Sequence, residues 1–212
     1  MVEWTLYFSH KKMKRFPIIA ADLFVNENVG TEKQRLNLKE QALYHFEKND
    51  IQMAFSNDGC WRSTFKYENL DWLMGNIKNM VQQAIDYYCT KDPAYQTKVN
   101  EFGDAEFNYW TNVNAPGSRN ILHVHSLYHY VGVYYIQTED TGDLIFHNHA
   151  NLLQESNPHS PFISRMAYKP KDGDLVLWPG WMPHETEINH SKNYRINIPF
   201  NIRFQTPFYI KP

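Results

Sequence analysis

Cysteine is nearly absent from this 212-residue chain: only Cys60 and Cys89 occur, and neither sits in a CxxC pair. Two such residues cannot build a disulfide framework, and neither has the charged neighbourhood of an activated thiol. An excess of one charge is lacking as well. The formal net charge is -2, so bulk electrostatics gives no reason to expect a nucleic-acid or membrane partner. KKMKR, near the start, reads as a solvated turn. No apolar run is long enough to span a bilayer, and MVEWTLYFSHKKMKRF lacks the core of a signal peptide. Internal repeats, low-complexity stretches and linkers are missing too. These absences lead to the expectation of one soluble, cytoplasmic domain over residues 1–212, long enough to bury a real core.

Aromatic residues, by contrast, make up 16% of the chain, which suits a β-rich core. EWTLYF and FPIIAADLF read as short extended segments. Thr31, with Gln34 three residues on, has the pattern of a capping box and predicts a helix through LNLKEQALYHFEK. Asn69 is placed to cap a second helix, in which Leu70, Leu73, Ile77, Met80, Val81, Ala84, Ile85 and Tyr88 recur at helical spacing as a core stripe. From about residue 104 the texture changes. AEFNYWTNV, ILHVHS, HYVGVYYIQT, DLIFH, DLVLWP and YRINIPFNIRF read as strands between turn-rich pieces such as NAPGSRN, TEDTGD, KPKDGD and NHSKN. The expectation is an α+β, mainly β fold: helical support with short strands over 1–103, then a sandwich or jelly roll over 104–204.

The chemistry concentrates in that second half. His123 and His125 stand at i and i+2, the spacing that puts two metal ligands on one face of a strand. With ten histidines in the chain, about half an HxH match arises by chance, and His147 with His149 forms a second pair. Context separates them. Downstream of His123 and His125, the segment GDLVLWPGWMPH has a turn, an apolar strand and a Pro-Gly break before His184. Eleven residues later comes Arg195, followed at i+2 spacing by Asn197, Pro199 and Asn201. An arginine pointing inward from an apolar strand needs a partner, either a structural carboxylate or an anionic ligand.

These blocks, NYWTNVNAPGSRNILHVH, YVGVYYI, GDLVLWPGWMPHETEIN and YRINIPFN, resemble in order and spacing the Fe(II)/2-oxoglutarate-dependent dioxygenases, most of all their bacterial and phage-associated branch of oxygenases. The resemblance covers residues 104 to 204 and implies a double-stranded β-helix, that is, a jelly-roll or cupin-like barrel. It implies Fe(II) as the metal, with 2-oxoglutarate and O2 as co-substrates. His123 and His184 would be metal ligands, and Arg195 would pair with the distal carboxylate of 2-oxoglutarate. Asn112 and Asn114 are placed like the polar pair that holds 2-oxoglutarate in the alkylated-nucleic-acid demethylase branch, although that branch has tyrosine at the position of Asn114. Tyr135 could also reach the co-substrate.

One departure stands out. The family's usual triad has a carboxylate two residues after the first histidine, and here that residue is His125. A third imidazole removes a negative charge from around the metal. Either His125 is the third catalytic ligand or Glu139 or Asp143 reaches in from the next turn; the i, i+2 geometry favours His125. Two other readings remain. In a cupin-type metal enzyme, His123, His125, His129 and His184 would form a four-ligand set with no need for 2-oxoglutarate. A non-catalytic jelly-roll binding module would instead use LWPGW as an exposed face. Neither requires Arg195. The segment Asn148 to Pro161 has the composition of a loop that could cover a pocket. The primary substrate is not legible.

Overall fold

Twelve strands and two helices form in the computed structural model, which describes residues 21–49, 55–91, 105–148 and 165–204. EWTLYF, KKMKR, His149 and most of the Asn148–Pro161 loop lie outside the described residues, and of FPIIAADLF only the last four are described. The side chain of Cys89 also lies outside them.

The helix expected after Thr31 is α1 (Glu32–Glu47). Its capping box closes as the sequence requires: Gln34 N donates to Thr31 Oγ1 at 3.2 Å, and Thr31 N donates back to Gln34 Oε1 at 2.8 Å. The second helix, α2 (Asp71–Lys91), departs from expectation at its start. Asn69 is not the cap. It takes a left-handed φ of 58°, while the Leu70 carbonyl accepts the first bonds, from Leu73 N and Met74 N. Asparagine tolerates that conformation better than leucine would, so the turn uses it one residue earlier. The α2 stripe is buried from Leu70 to Ile85, with Tyr88 packed against its edge.

The largest sheet runs β1 (Phe24–Asn26), β10 (Leu175–Pro179), β7 (Tyr130–Gln137), β12 (Arg195–Phe204), β5 (Thr111–Asn114) and β3 (Trp61–Ser63), with β4 (Ala105–Tyr109) also on β12. All its pairings are antiparallel. A second sheet runs β11 (His184–Thr186), β8 (Leu144–His147) and β9 (Arg165–Tyr168), and β2 (Asn57–Asp58) pairs with β6 (Arg119–Asn120). Short strands were expected in the first half, and two of them, β1 and β3, lie at the two ends of the main sheet's strand order. Phe24, the last residue of the extended segment FPIIAADLF, begins β1, whereas β3, three residues long, carries too little periodicity to be read in advance.

Side-chain alternation sorts the main sheet into two faces. One face carries Tyr134, Ile136, Leu175, Leu177, Ile196 and Ile198 into a large core shared with both helices. Each such fully buried aliphatic side chain contributes about 1.5–3 kcal/mol. The other face carries Val131, Tyr135, Val176 and Trp178 against Leu144 and Phe146 of the second sheet. Cross-strand register puts Arg62, Asn112, Asn197 and Tyr135 in one row on that second face, with Arg195 opposite Asn114 in the next. A register shift between Ile196 and Asn197 falls beside Arg195, the kind of bulge that re-aims a side chain. No described helix is long and apolar enough to cross a membrane.

Candidate metal and anion site

ILHVHS is not a strand, contrary to expectation. His123 makes only an isolated antiparallel bridge, to His184, with reciprocal N–H···O bonds of 3.0 Å in both directions. His125 N donates to the Gly180 carbonyl at 2.8 Å. The Pro-Gly break is thus a structural requirement: a Cβ on residue 180 would collide with the Tyr128 carbonyl and lie 2.8 Å from the His125 carbonyl. Irregular backbone held between two strands brings the imidazoles together where a regular strand was expected to.

They converge. One ligand atom from each of His123, His125 and His184 lies within 4.8 Å of the others, and among the described residues no carboxylate belongs to the group. Ring centroids are 4.3 Å apart for His123–His184, 5.0 Å for His123–His125 and 5.3 Å for His125–His184. Two of the rings have their tautomer set by the backbone. His123 Nδ1 meets the Ile121 carbonyl at 2.6 Å, and His184 Nδ1 meets the Met182 carbonyl at 2.9 Å. A carbonyl only accepts, so both Nδ1 atoms carry the proton and both Nε2 lone pairs are left to coordinate.

Glu139 and Asp143 stay outside the group. His129 does as well: its Nδ1 accepts from Phe204 N at 3.2 Å, so a four-histidine set does not assemble. His147 Nε2 is engaged with Glu185 Oε1 at 2.9 Å. LWPGW is not an exposed face throughout, because Trp178 is buried in the smaller core and its ring lies 4.9 Å from that of His184.

Burial is the main reason all three imidazoles titrate below the ordinary histidine range. His123 adds to the shift of the other two, and Asn201 opposes it at His125, whose value falls to about 4. Neutral imidazole is the form that binds a metal. In the unfolded chain each takes up a proton near pH 6.5, whereas the folded chain resists protonation. Between about 6.5 and about 4, the unfolded state therefore binds more protons, and stability falls as pH falls. The unfolding midpoint of metal-free protein should drop through this window, and drop less for His125→Asn. Equal slopes for the two proteins would contradict the assignment of a buried neutral His125.

A small cavity of about 50 Å³ lies against the cluster, lined among others by Asn112, Tyr135, Trp178, Thr186 and Asn197. Arg195 sits behind this wall, 1% exposed. Its Nη1 donates to the Thr141 carbonyl at 2.7 Å and its Nη2 to Thr186 Oγ1 at 2.8 Å, while Nε has no partner. Among the described residues no carboxylate forms an ion pair with it. A guanidinium buried this deeply without a counter-charge is expensive unless an anion arrives.

The other expected residues divide. The Asn112 and Asn197 side-chain oxygens are buried without partners beside the cavity. Tyr135 lines it, with burial pushing its phenol pKa up. Asn114 is not brought to the wall; its amide nitrogen meets Cys60 Sγ at 2.6 Å and Asn120 Oδ1 at 3.1 Å. Thr186 was missed. Its oxygen accepts from both Arg195 and the Asn120 backbone N–H, at 2.8 Å each, so its own proton is available to the cavity. Its place at i+2 from His184 was the available signal. Trp110 was missed too. It separates β4 from β5 where Pro199, lacking an N–H, can only accept its backbone bond at 3.1 Å, and its ring stacks near-parallel on His125.

Against known proteins, residues 108–201 match the family model described as "Putative 2OG-Fe(II) oxygenase". That segment, a little under half of the chain, is similar in sequence to this family. No curated protein matches the chain in sequence. Solved structures share its fold. A prolyl-4-hydroxylase from Pseudomonas putida superposes with a TM-score of 0.62 at 14% identity, covering 87% of this chain and 93% of its own. SnoK, a non-haem α-ketoglutarate-dependent carbocyclase from nogalamycin biosynthesis, gives 0.59 at 12%, covering 85% and 78%. HygX from Streptomyces hygroscopicus, with nickel and 2-oxoglutarate bound, gives 0.57 at 11%, covering 86% and 83%. The matched segment contains all three clustered imidazoles and Arg195, and iron(II) and 2-oxoglutarate are the cofactor and co-substrate that the matched family's name states.

Proposed function

We propose that this protein is a hydroxylating Fe(II)/2-oxoglutarate-dependent dioxygenase on a double-stranded β-helix, with residues 1–212 acting as one unit and an all-histidine metal site formed by His123, His125 and His184. The observation that carries this reading is the pairing, around one small cavity, of three neutral imidazoles with a buried guanidinium that has no carboxylate partner among the described residues.

Iron(II) with 2-oxoglutarate would supply the oxidising chemistry, in which the keto acid loses carbon dioxide to become succinate while dioxygen is split between succinate and substrate. The chain's own part is arrangement. The Ile121 and Met182 carbonyls hold two ring orientations. Arg195 supplies the fixed positive charge for the distal carboxylate of 2-oxoglutarate, and the Thr186 hydroxyl a hydrogen bond to the same group. Asn112, Asn197 and Tyr135 complete the wall, while Asn114 supports it from behind through Asn120. Trp178, Leu144 and Val133 keep the cavity apolar and dry, which strengthens each charge–charge contact inside it.

A ligand that binds only the folded protein raises its apparent stability by RT ln(1 + [L]/Kd). In the presence of iron(II), excluded from air, 2-oxoglutarate at about a hundred times its Kd should therefore add about 2.7 kcal/mol. A cupin-type enzyme would respond to iron alone. If 2-oxoglutarate leaves the iron-loaded melting curve unmoved, the co-substrate assignment fails.

A further inference from the structure

A second arginine lies on the same sheet face as Arg195, and the proposed co-substrate site does not use it. Arg62, in β3, pairs in register with Asn112 and opens on a larger outer chamber of about 650 Å³. His123, His125, Ser56 and Trp110 line both chambers, so the imidazoles stand at the junction between them. The Arg62 guanidinium lies over two rings, with its carbon 4.1 Å from the centre of Trp110 and 4.5 Å from that of Phe55. Its Nε is buried without a partner, and no described carboxylate pairs with it. Desolvation lowers its pKa only to about 10, which leaves it charged at neutral pH. None of the described residues lining the outer chamber is Asp or Glu. Ile121, Leu122, Val124 and Leu127 are large apolar side chains there that remain exposed.

Resting on the oxygenase reading above, we infer that the outer chamber takes a small organic acid with an apolar chain as the substrate to be oxidised, its carboxylate held by Arg62. The guanidinium is a planar fork whose parallel N–H donors match a planar carboxylate. Its single positive charge balances one negative charge. A dianionic phosphate would leave excess charge among apolar walls, at a desolvation cost. The Trp110 ring neighbours both the Arg62 guanidinium and the His125 ring, and all three residues line the same chamber, so a molecule anchored at the guanidinium can extend its chain past the ring to the imidazoles.

Calorimetric titration of the full chain, loaded with zinc(II) in place of iron and saturated with 2-oxoglutarate, tests this inference. The probes are 4-methylpentanoate, 3-phenylpropanoate and N-acetyl-leucine, each against its uncharged primary amide. At least one acid should bind about tenfold tighter than its amide. Arg62→Gln should erase that preference and leave 2-oxoglutarate affinity within about twofold, whereas Arg62→Lys should keep part of the preference. Acids and amides that bind alike, or a preference that survives Arg62→Gln, would overturn the inference while 2-oxoglutarate binding keeps the oxygenase reading intact. Failure of 2-oxoglutarate to bind the zinc-loaded wild type overturns both.

Discussion

Changing His184 to alanine should reduce conversion of 2-oxoglutarate to succinate by the iron-loaded protein to background. His184 is the most buried of the three clustered imidazoles and sits at the strand end that meets His123. Removing it takes away a proposed ligand without touching the backbone bridge that places its neighbour, because that bridge uses main-chain atoms only. Metal activation contributes several kcal/mol to such reactions, so the loss should be on the order of 10³-fold or more. Iron content after anaerobic loading should fall in parallel. His147→Ala is the matched control: that ring is engaged by Glu185, and its removal should leave both quantities unchanged. Succinate formation that continues in the His184 variant would remove the metal assignment.

The next largest effect is expected at Arg195, and it has two opposite signs. Arg195→Gln should raise the Kd for 2-oxoglutarate by about 10²-fold or more, since truncating one side of a buried charge pair costs about 2–5 kcal/mol. Without 2-oxoglutarate the prediction reverses. The wild-type guanidinium then sits buried with a carbonyl and a hydroxyl for company and no described carboxylate. An apolar replacement such as Arg195→Met should leave the free protein as stable as wild type or stabilise it. Denaturant titrations with and without 2-oxoglutarate separate the two effects. A structural arginine would behave otherwise, destabilising the protein on removal in both conditions.

The absence of a carboxylate from the three-imidazole group bears on both results. With no carboxylate among the described residues in that group, an anion bound opposite Arg195 would become the main compensation for metal and guanidinium together. Metal and 2-oxoglutarate binding should therefore reinforce one another, a coupling that the thermal-shift comparison measures directly.

Some of this was legible in the residues alone. Thr31 and Gln34 specify a helix start because a capping box is local: the partners are three residues apart and need nothing from the rest of the chain. The α2 stripe, the apolar runs of β7 and β10 and the polar–apolar alternation at the start of β12 are likewise local patterns. Other features were not legible for matching reasons. Asn69 marks a turn but not which of its residues donates the cap carbonyl, and Leu70 took that place. ILHVHS alternates like a strand, yet its backbone bonds go to scattered partners, Ser56, Gly180 and His184 among them, rather than along one neighbouring strand. The roles of Thr186, Trp110 and Arg62 depend on which strands lie side by side, and register is set by packing over the whole sheet.

From the order of its residues alone, this protein's chain determined that two histidines at i, i+2, a third beyond a Pro-Gly break and an arginine eleven residues further would be available for metal and anion. Only the tertiary structure decided that these groups meet, that no described acid joins them, and that a second guanidinium faces the outer chamber. The reason is physical: spacing constrains neighbours within a few residues, whereas burial, desolvation and the pairing of charge depend on what distant segments bring to the same place.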